Sequence, residues 1–86
     1  MDASSKIGIL KALEVECYSI CYYVLQQETL ATQASKETMQ ELWSSESFYL
    51  QDADHRLKAL KQLALRRSMG IYRTHLAERI QVLVAN

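Results

Sequence analysis

The chain contains no proline and only two glycines, Gly8 and Gly70, in 86 residues. Folds rich in strands need turn residues at regular intervals, because glycine and proline supply the backbone conformations that reverse a strand. A helix interior needs neither residue and is weakened by both. The sequence therefore predicts an all-α protein, and its length is that of one small helical domain covering residues 1–86.

The spacing of the apolar residues predicts three helices, of which the first two are simple. From Ile7 to about Gln26, apolar residues recur at steps of three and four, as they do along one face of an amphipathic helix. This helix is expected to begin at a Ser4 or Ser5 cap, since a serine side chain accepts the free amide protons of a first turn. The second helix is expected over about Thr29–Trp43, followed by a loop over Ser44–Asp54.

The third predicted helix is long and carries two apolar faces. It begins near Asp52 or Asp54 and runs to about Leu83. Its first face is formed by Leu57, Leu60, Ala64 and Ile71. Its second face, displaced by more than a quarter turn, is formed by Leu65, Met69, Tyr72, Leu76, Ile80 and Leu83. The helix is therefore expected either to bend near Gly70 or to pack its second half on a different surface from its first.

The formal net charge of zero conceals a division between two parts of the chain. Residues 1–54 hold nine acids and three bases, whereas residues 55–86 hold seven bases and one acid. Such asymmetry is typical of a segment that binds a polyanion joined to one that meets a different partner. Arg66 and Arg73 lie seven residues apart on one helical face, with Arg67 nearby, and side chains so placed can neutralise phosphates.

The sequence offers little for catalysis, metal binding or membrane insertion. It has no glycine-rich phosphate loop, and its two histidines do not form a nucleophile–base–acid set. Cys17 and Cys21, one helical turn apart among apolar residues, are expected to be core residues rather than half of a zinc site or a redox pair. No apolar run approaches the roughly 18 residues that span a bilayer, and the N-terminus is unlike a secretory signal. We therefore expect a cytoplasmic protein that is not an enzyme and has no cofactor, metal or membrane partner.

Three stretches of the chain follow one another in a distinctive order. An aromatic stretch, Tyr18–Leu25, precedes Leu30–Trp43, and a phenylalanine-containing loop at Phe48 precedes the basic stretch Leu57–Arg73. In order, spacing and charge they resemble region 2 of bacterial sigma factors, the extracytoplasmic-function group above all, over about residues 13–75. Small residues, an acid and a closing Leu-Trp of the middle stretch fall on that family's pattern: Ala31, Ala34, Glu37, Leu42 and Trp43. The resemblance implies a three-helix bundle with a long C-terminal helix.

The resemblance also implies two binding surfaces and a role in transcription. In the family, the second helix docks on the clamp coiled coil of core RNA polymerase; the corresponding residues here are Gln33, Lys36, Glu37, Gln40 and Glu41. The third helix engages the −10 element of promoter DNA; the candidate DNA-binding residues here are Lys58, Lys61, Arg66, Arg67, Tyr72 and Arg73. Phosphate contacts of this kind make binding strongly dependent on salt. Tyr72 and the loop pair Phe48-Tyr49 are candidates for stacking on unpaired bases, although membership of the apolar face is the favoured interpretation of Tyr72.

The chain departs from the family at its C-terminal end and thereby suggests an alternative function. The sequence ends at Asn86 before any region 4, which reads the −35 element. It is therefore expected to be an excised domain, a partial sigma-like protein that needs a region 4-like partner protein, or a descendant that kept the fold and lost the promoter role. The alternative is a helical protein–protein interaction module, a dimer or a regulatory adaptor, that has the fold without promoter recognition. Self-association or partner binding would then use the second face of the third helix, through Leu65, Met69, Leu76, Ile80 and Leu83.

Overall fold

The computed structural model describes residues 1–85, which form four α-helices. These are α1 (Ala3–Leu25), α2 (Glu28–Trp43), α3 (Glu46–Leu50) and α4 (Ala53–Ala85). The predicted all-α class and long C-terminal helix are confirmed, whereas the predicted number of three helices is wrong because the expected loop contains the short α3. Within the described residues, no helix combines the length and the apolar composition that crossing a membrane requires.

The cap of helix α1 is Asp2 rather than either of the expected serines. Asp2 has an extended backbone, and its carboxylate accepts a hydrogen bond from the Ser5 amide at 2.8 Å, so Ser4 and Ser5 lie inside the first turn. This hydrogen bond lowers the pKa of Asp2, since it stabilises the charged carboxylate. At the other end, Gln26 adopts a left-handed conformation with φ 57°, and its amide donates to the Tyr22 carbonyl. The chain therefore turns into α2 without a glycine.

Helix α4 begins as the sequence predicts, at an aspartate cap. The Asp52 carboxylate accepts a hydrogen bond from the His55 amide at 2.9 Å and lies 2.8 Å from Nδ1 of the same residue. The amide contact and then the side-chain contact lower the pKa of Asp52. Asp54, the other predicted cap, lies in the first turn of the helix. A carboxylate in this position also interacts favourably with the positive end of the helix dipole.

The three long helices contact one another and form the body of the protein. The starts of α1 and α4 adjoin at Ile9 and Arg56, and further along both helices Glu16 pairs with Lys61 at 3.7 Å. Helices α1 and α4 therefore run in the same direction. Helix α2 packs against both and runs in the opposite direction, since its last residue, Trp43, lies beside Ile7 near the start of α1.

Small residues fill the centre of the bundle and let the helices approach closely. The fully buried residues include Cys17 and Cys21 of α1, and the remainder of this set is Ala31, Ala34, Thr38, Leu60, Ala64 and Ser68. The expectation that both cysteines are core residues is confirmed. Thr38 donates its hydroxyl to the Ala34 carbonyl at 2.8 Å, so this buried polar group is satisfied within its own helix.

Helix α3 closes one end of the core. Phe48 and Tyr49 are almost fully buried there, with their rings edge to face at 5.2 Å between centroids. Lys6 of α1 reaches over this end, 5.1 Å from the centroid of the Tyr49 ring and 3.8 Å from the Glu46 carboxylate. Phe48 and Tyr49, the candidates for stacking on unpaired bases, therefore have their rings packed in the core of the described structure.

Helix α4 extends beyond the other helices. The molecule measures 53 × 19 × 19 Å, and the 33 residues of α4 account for about 50 Å of its length at about 1.5 Å per residue. Beyond Ile71, only His75 is partly buried among residues 72–85. The helix continues without interruption through Gly70, where an added Cβ would meet nothing within 4 Å. The second half of α4 does not pack on a separate surface of the described residues, and within residues 1–85 its second apolar face is uncovered.

Candidate binding surfaces on α2 and α4

The five residues predicted to contact polymerase are neighbours on α2 and border two different grooves. Gln33, Glu37 and Glu41 line the side of α2 that faces α4, along a groove of about 640 Å³. Lys36 lies on the other edge of α2 and lines a separate groove against α1. Gln40 is exposed. At 100° per residue the five positions span about 140° of α2, with exposed Gln40 between Lys36 and the residues that face α4.

One arginine joins the predicted polymerase side to the predicted DNA side. The guanidinium of Arg67 pairs with the Glu37 carboxylate at 3.8 Å and forms a hydrogen-bonded ion pair with Glu41. Gln33 completes the row by donating its side-chain amide to Glu37 at 3.0 Å. Arg67 therefore cross-links α4 to α2. In the folded protein it shares its charge with two carboxylates instead of presenting it to a phosphate.

The remaining bases among the candidate DNA-binding residues fall into two groups, paired and unpaired. Lys61 is engaged by Glu16 of α1, as described above. Lys58, Arg66 and Arg73 are exposed and form no ion pair with any residue in the range 1–85. The Arg73 side chain only approaches the carbonyl of Met69, one turn earlier in its own helix, at 3.4 Å. Arg66 and Arg73 are thus the arginines that the structure leaves available on the predicted face.

The most extensive exposed apolar feature is the second face of α4, which we call the outer stripe. Its side chains are each between 42% and 76% exposed: Leu65, Met69, Tyr72, Leu76, Ile80 and Leu83. At 100° per residue, the stripe lies about 130° from the direction in which Leu60 and Ala64 enter the core. It therefore points away from α1 and α2. The residues follow steps of three and four over about 27 Å, which is the pattern of the contact seam of a coiled coil.

Bases border the outer stripe on both sides. Arg66 and Arg73 project from one edge, and Arg79 projects from the other, between Leu76 and Leu83. Arg79 does not belong to the predicted DNA-binding set, whose bases were chosen for contact with phosphate. The spacing of Arg79, seven residues after Tyr72 and three after Leu76, places it beside the stripe and was readable in advance.

A second apolar surface lies in the groove between α1 and α2. It encloses about 720 Å³ and is lined by Leu10, Tyr18, Met39 and Trp43 among others, with Lys36 at its rim. Sequence alone does not reveal this groove, because its residues come from two helices whose relative direction the sequence does not show. The groove has two walls, each with residues at steps of three and four, whereas the outer stripe is one line on a single helix.

The buried cysteines form a small polar cluster in which their mutual hydrogen bond raises the pKa of Cys17 and lowers the pKa of Cys21 to about 7. Cys17 accepts a hydrogen bond from the Ser35 hydroxyl at 3.5 Å, and its thiol points to the Ser35 carbonyl at 4.0 Å. The hydrogen bond with Cys21 and then burial raise the pKa of Cys17, so its thiol stays protonated and unreactive. Nearby, the buried Ser68 hydroxyl has no hydrogen-bond partner among the described residues. Residues 1–85 contain no cluster of three or more metal-ligating side chains.

No protein-family model matches this chain, and no curated protein or solved structure is detectably similar to it. The resemblance to sigma region 2 therefore rests on the residues of this sequence alone. Function has to be inferred from the two features that the geometry brings together on α4: an uncovered apolar stripe and the arginines beside it.

Proposed function

We propose that this protein is a helical interaction module that binds a partner helix through the outer stripe of α4. The observation that carries the proposal is the uninterrupted exposure of six large apolar side chains along one line of a helix that leaves the bundle. Contiguous exposed apolar surface of this kind usually marks an interface. Its spacing of three and four residues selects a helix as the occupant, since side chains of two helices interdigitate at that period.

The size of the outer stripe indicates a reversible complex. From the exposed fractions, a partner helix would cover on the order of 500 Å² of apolar surface on this side, or about 12 kcal/mol of gross hydrophobic stabilisation. Association itself costs about 4–15 kcal/mol in lost translational and rotational freedom. Counting the surface on this side alone, the surplus is at most about 8 kcal/mol, which corresponds to a dissociation constant of about 1 µM at the tightest.

The proposal is tested with one substitution on the stripe and one beside it. Leu76→Asp places a charge in the middle of the outer stripe, whereas Ala77→Asp makes the same change one residue later, about 110° from the centre of the stripe. Sedimentation of the protein alone, and titration with 21-residue helical peptides carrying leucines at the matching spacing, report self-association and peptide binding. We expect one of these contacts to form, to be lost in Leu76→Asp and to survive in Ala77→Asp. No contact at concentrations up to about 1 mM would refute the proposal.

A second candidate is the transcription role that the resemblance implies, with promoter DNA and core RNA polymerase as partners. It is favoured by the exposed, unpaired positions of Arg66 and Arg73 on the helix that carries most of the positive charge. If both contact phosphates, replacing both with alanine lowers the slope of log affinity against log salt by about 1.4 for a −10-like single strand. Lys61→Ala is the control, because Lys61 is already paired.

The polymerase half of this second candidate is tested separately. We expect core polymerase to be retained on the immobilised protein and Glu37→Lys to weaken the retention, since the resemblance implies that Glu37 is the polymerase-contacting glutamate. Because Glu37 also pairs with Arg67, the helix content of the variant is checked by circular dichroism. If the unmutated protein retains no polymerase, this role is excluded.

A further inference from the structure

Both edges of the outer stripe carry arginines that lack an acidic partner in residues 1–85. Arg66 and Arg73 form one edge and Arg79 the other, and no ion pair involves any of the three. Glu78 is the single acid of residues 55–86, and it lines the groove between α2 and α4, on a different face from the stripe. Any helix that lies on the stripe therefore meets positive charge at both sides of its own apolar face.

We propose, building on the interaction-module function, that the partner of the outer stripe is an acidic amphipathic helix of a different protein. Its apolar residues would recur at steps of three and four, with glutamate or aspartate at the positions beside them. Residues flanking a helical seam form the ion pairs that determine which helices associate. Complementary charge at these positions also excludes wrong partners, because like charges opposed at an interface are unfavourable.

A second copy of this chain does not satisfy the same requirement. If two copies paired in antiparallel orientation, the edge with Arg66 and Arg73 would face the same edge of the other copy. In parallel orientation that edge would face Arg79. Either arrangement opposes arginine to arginine without a carboxylate, so the protein by itself is expected to remain monomeric.

An anionic membrane surface fits the width of the outer stripe less well. Helices that lie on a bilayer bury a broad apolar face, whereas two paired helices meet along a narrower seam. The outer stripe spans only about 80° of the helix circumference, and Arg79 adjoins it. A helix with acidic flanks meets both the narrow apolar seam and the bases beside it.

The test uses a charge-reversed copy of the protein as the probe. In the full chain, Arg66→Glu, Arg73→Glu and Arg79→Glu leave the outer stripe intact and change both of its edges from basic to acidic. The three side chains are exposed and form no ion pairs, so the fold is expected to persist, which circular dichroism verifies. The variant then presents an acidic amphipathic helix whose spacing matches that of the unmodified protein.

Sedimentation at about 50 µM of each chain should show monomers for either protein alone and a 1:1 complex for the mixture. The complex should weaken at least tenfold when salt is raised from about 0.1 M to 1 M, because the screening length then falls from about 10 Å to 3 Å. Leu76→Asp in the unmodified chain should abolish the complex, and Ala77→Asp should not.

The alternative results are distinguishable. If the unmodified protein dimerises through Leu76 as tightly as the mixture associates, the partner is a second copy; the acidic-helix inference is then overturned while the interaction module stands. If the mixture stays monomeric and the unmodified protein instead binds vesicles of phosphatidylglycerol in a Leu76-dependent way, the inference is overturned in favour of a membrane surface. If the mixture stays monomeric and neither peptides nor vesicles bind, the interaction module itself is refuted.

Discussion

Leu60 and Leu65 lie on different sides of α4 and form a matched pair for testing its orientation. Leu60 is fully buried in the core, whereas Leu65 begins the outer stripe and is 46% exposed. Both residues lie well inside the helix, and leucine and alanine have similar helix propensities. Replacing each with alanine in turn therefore compares burial on the two sides of one helix.

The structure predicts very different costs for the two substitutions. Leu60→Ala removes a fully buried side chain and leaves a cavity between α1, α2 and α4, which lowers the free energy of unfolding by about 3–4 kcal/mol. A chain of 86 residues has a total stability of about 4–13 kcal/mol, so a large share is lost. At about 4–8 °C per kcal/mol, the Tm falls by about 12–32 °C. Leu65→Ala should cost less than about 1 kcal/mol, because much of that side chain is already in water.

Urea unfolding followed by circular dichroism at 222 nm measures both effects, and repetition at about 5 and 100 µM protein reveals any contribution from association. If Leu65→Ala costs as much as Leu60→Ala and the cost depends on protein concentration, a second copy covers the outer stripe. If the cost is equal and independent of concentration, α4 packs with Leu65 inward. Either result would refute the reasoning that leaves this face free for another protein.

Four further substitutions test separate features. Gly70→Ala should raise stability by about 1 kcal/mol, since alanine favours the helix and its Cβ meets open space; a lower urea midpoint would show that the glycine is needed. Ser68→Ala should be neutral or stabilising by up to about 1 kcal/mol in the same assay, because it removes a buried hydroxyl without a partner. Arg67→Ala should cost about 1 kcal/mol, while Arg66→Ala, which breaks no ion pair, should cost almost nothing; equal costs would contradict the cross-link. The pKa of Asp2 is lower in the folded than in the unfolded state. Its contribution to the free energy of unfolding is therefore complete above the unfolded pKa and disappears as pH falls through the folded pKa. Asp2→Ala should reduce the urea midpoint at pH 7 but not at pH 2, and an equal reduction at both would contradict the cap.

The three long helices were predictable from the local spacing of apolar residues, whereas α3 was not predicted because it depends on contacts with other helices. The apolar periods of α1, α2 and α4 extend over three or more turns, so they determine both the type and the approximate ends of each element. Helix α3 has only five residues, too few for a period, and Phe48 and Tyr49 became its core-facing residues only through contact with the other helices. The start of α1 was misplaced because Asp2, Ser4 and Ser5 are all good caps, and only the backbone shows which one is extended.

The candidate surfaces were only partly predictable, because they depend on which helices are neighbours. Spacing alone identified the outer stripe, since all its residues belong to α4. Spacing could not show that Arg67 meets Glu41 or that Lys61 meets Glu16, because those pairs require the direction of α4 relative to α2 and α1. Arg66 and Arg67 are adjacent in sequence, yet the turn of about 100° between them leaves one free and pairs the other.

These ion pairs show how the division of charge along the chain is used within the fold. Acids of the first half neutralise bases of the second across helix contacts, as Glu16 does for Lys61 and Glu41 for Arg67. The bases beside the outer stripe are left without such partners. At physiological ionic strength, the field of an exposed charge extends only about 8 Å, so a partner experiences these arginines rather than the net charge of zero. A helix docked on the stripe, as we propose, would therefore be selected at its edges, because carboxylates beside its apolar line would lie within that distance of the arginines.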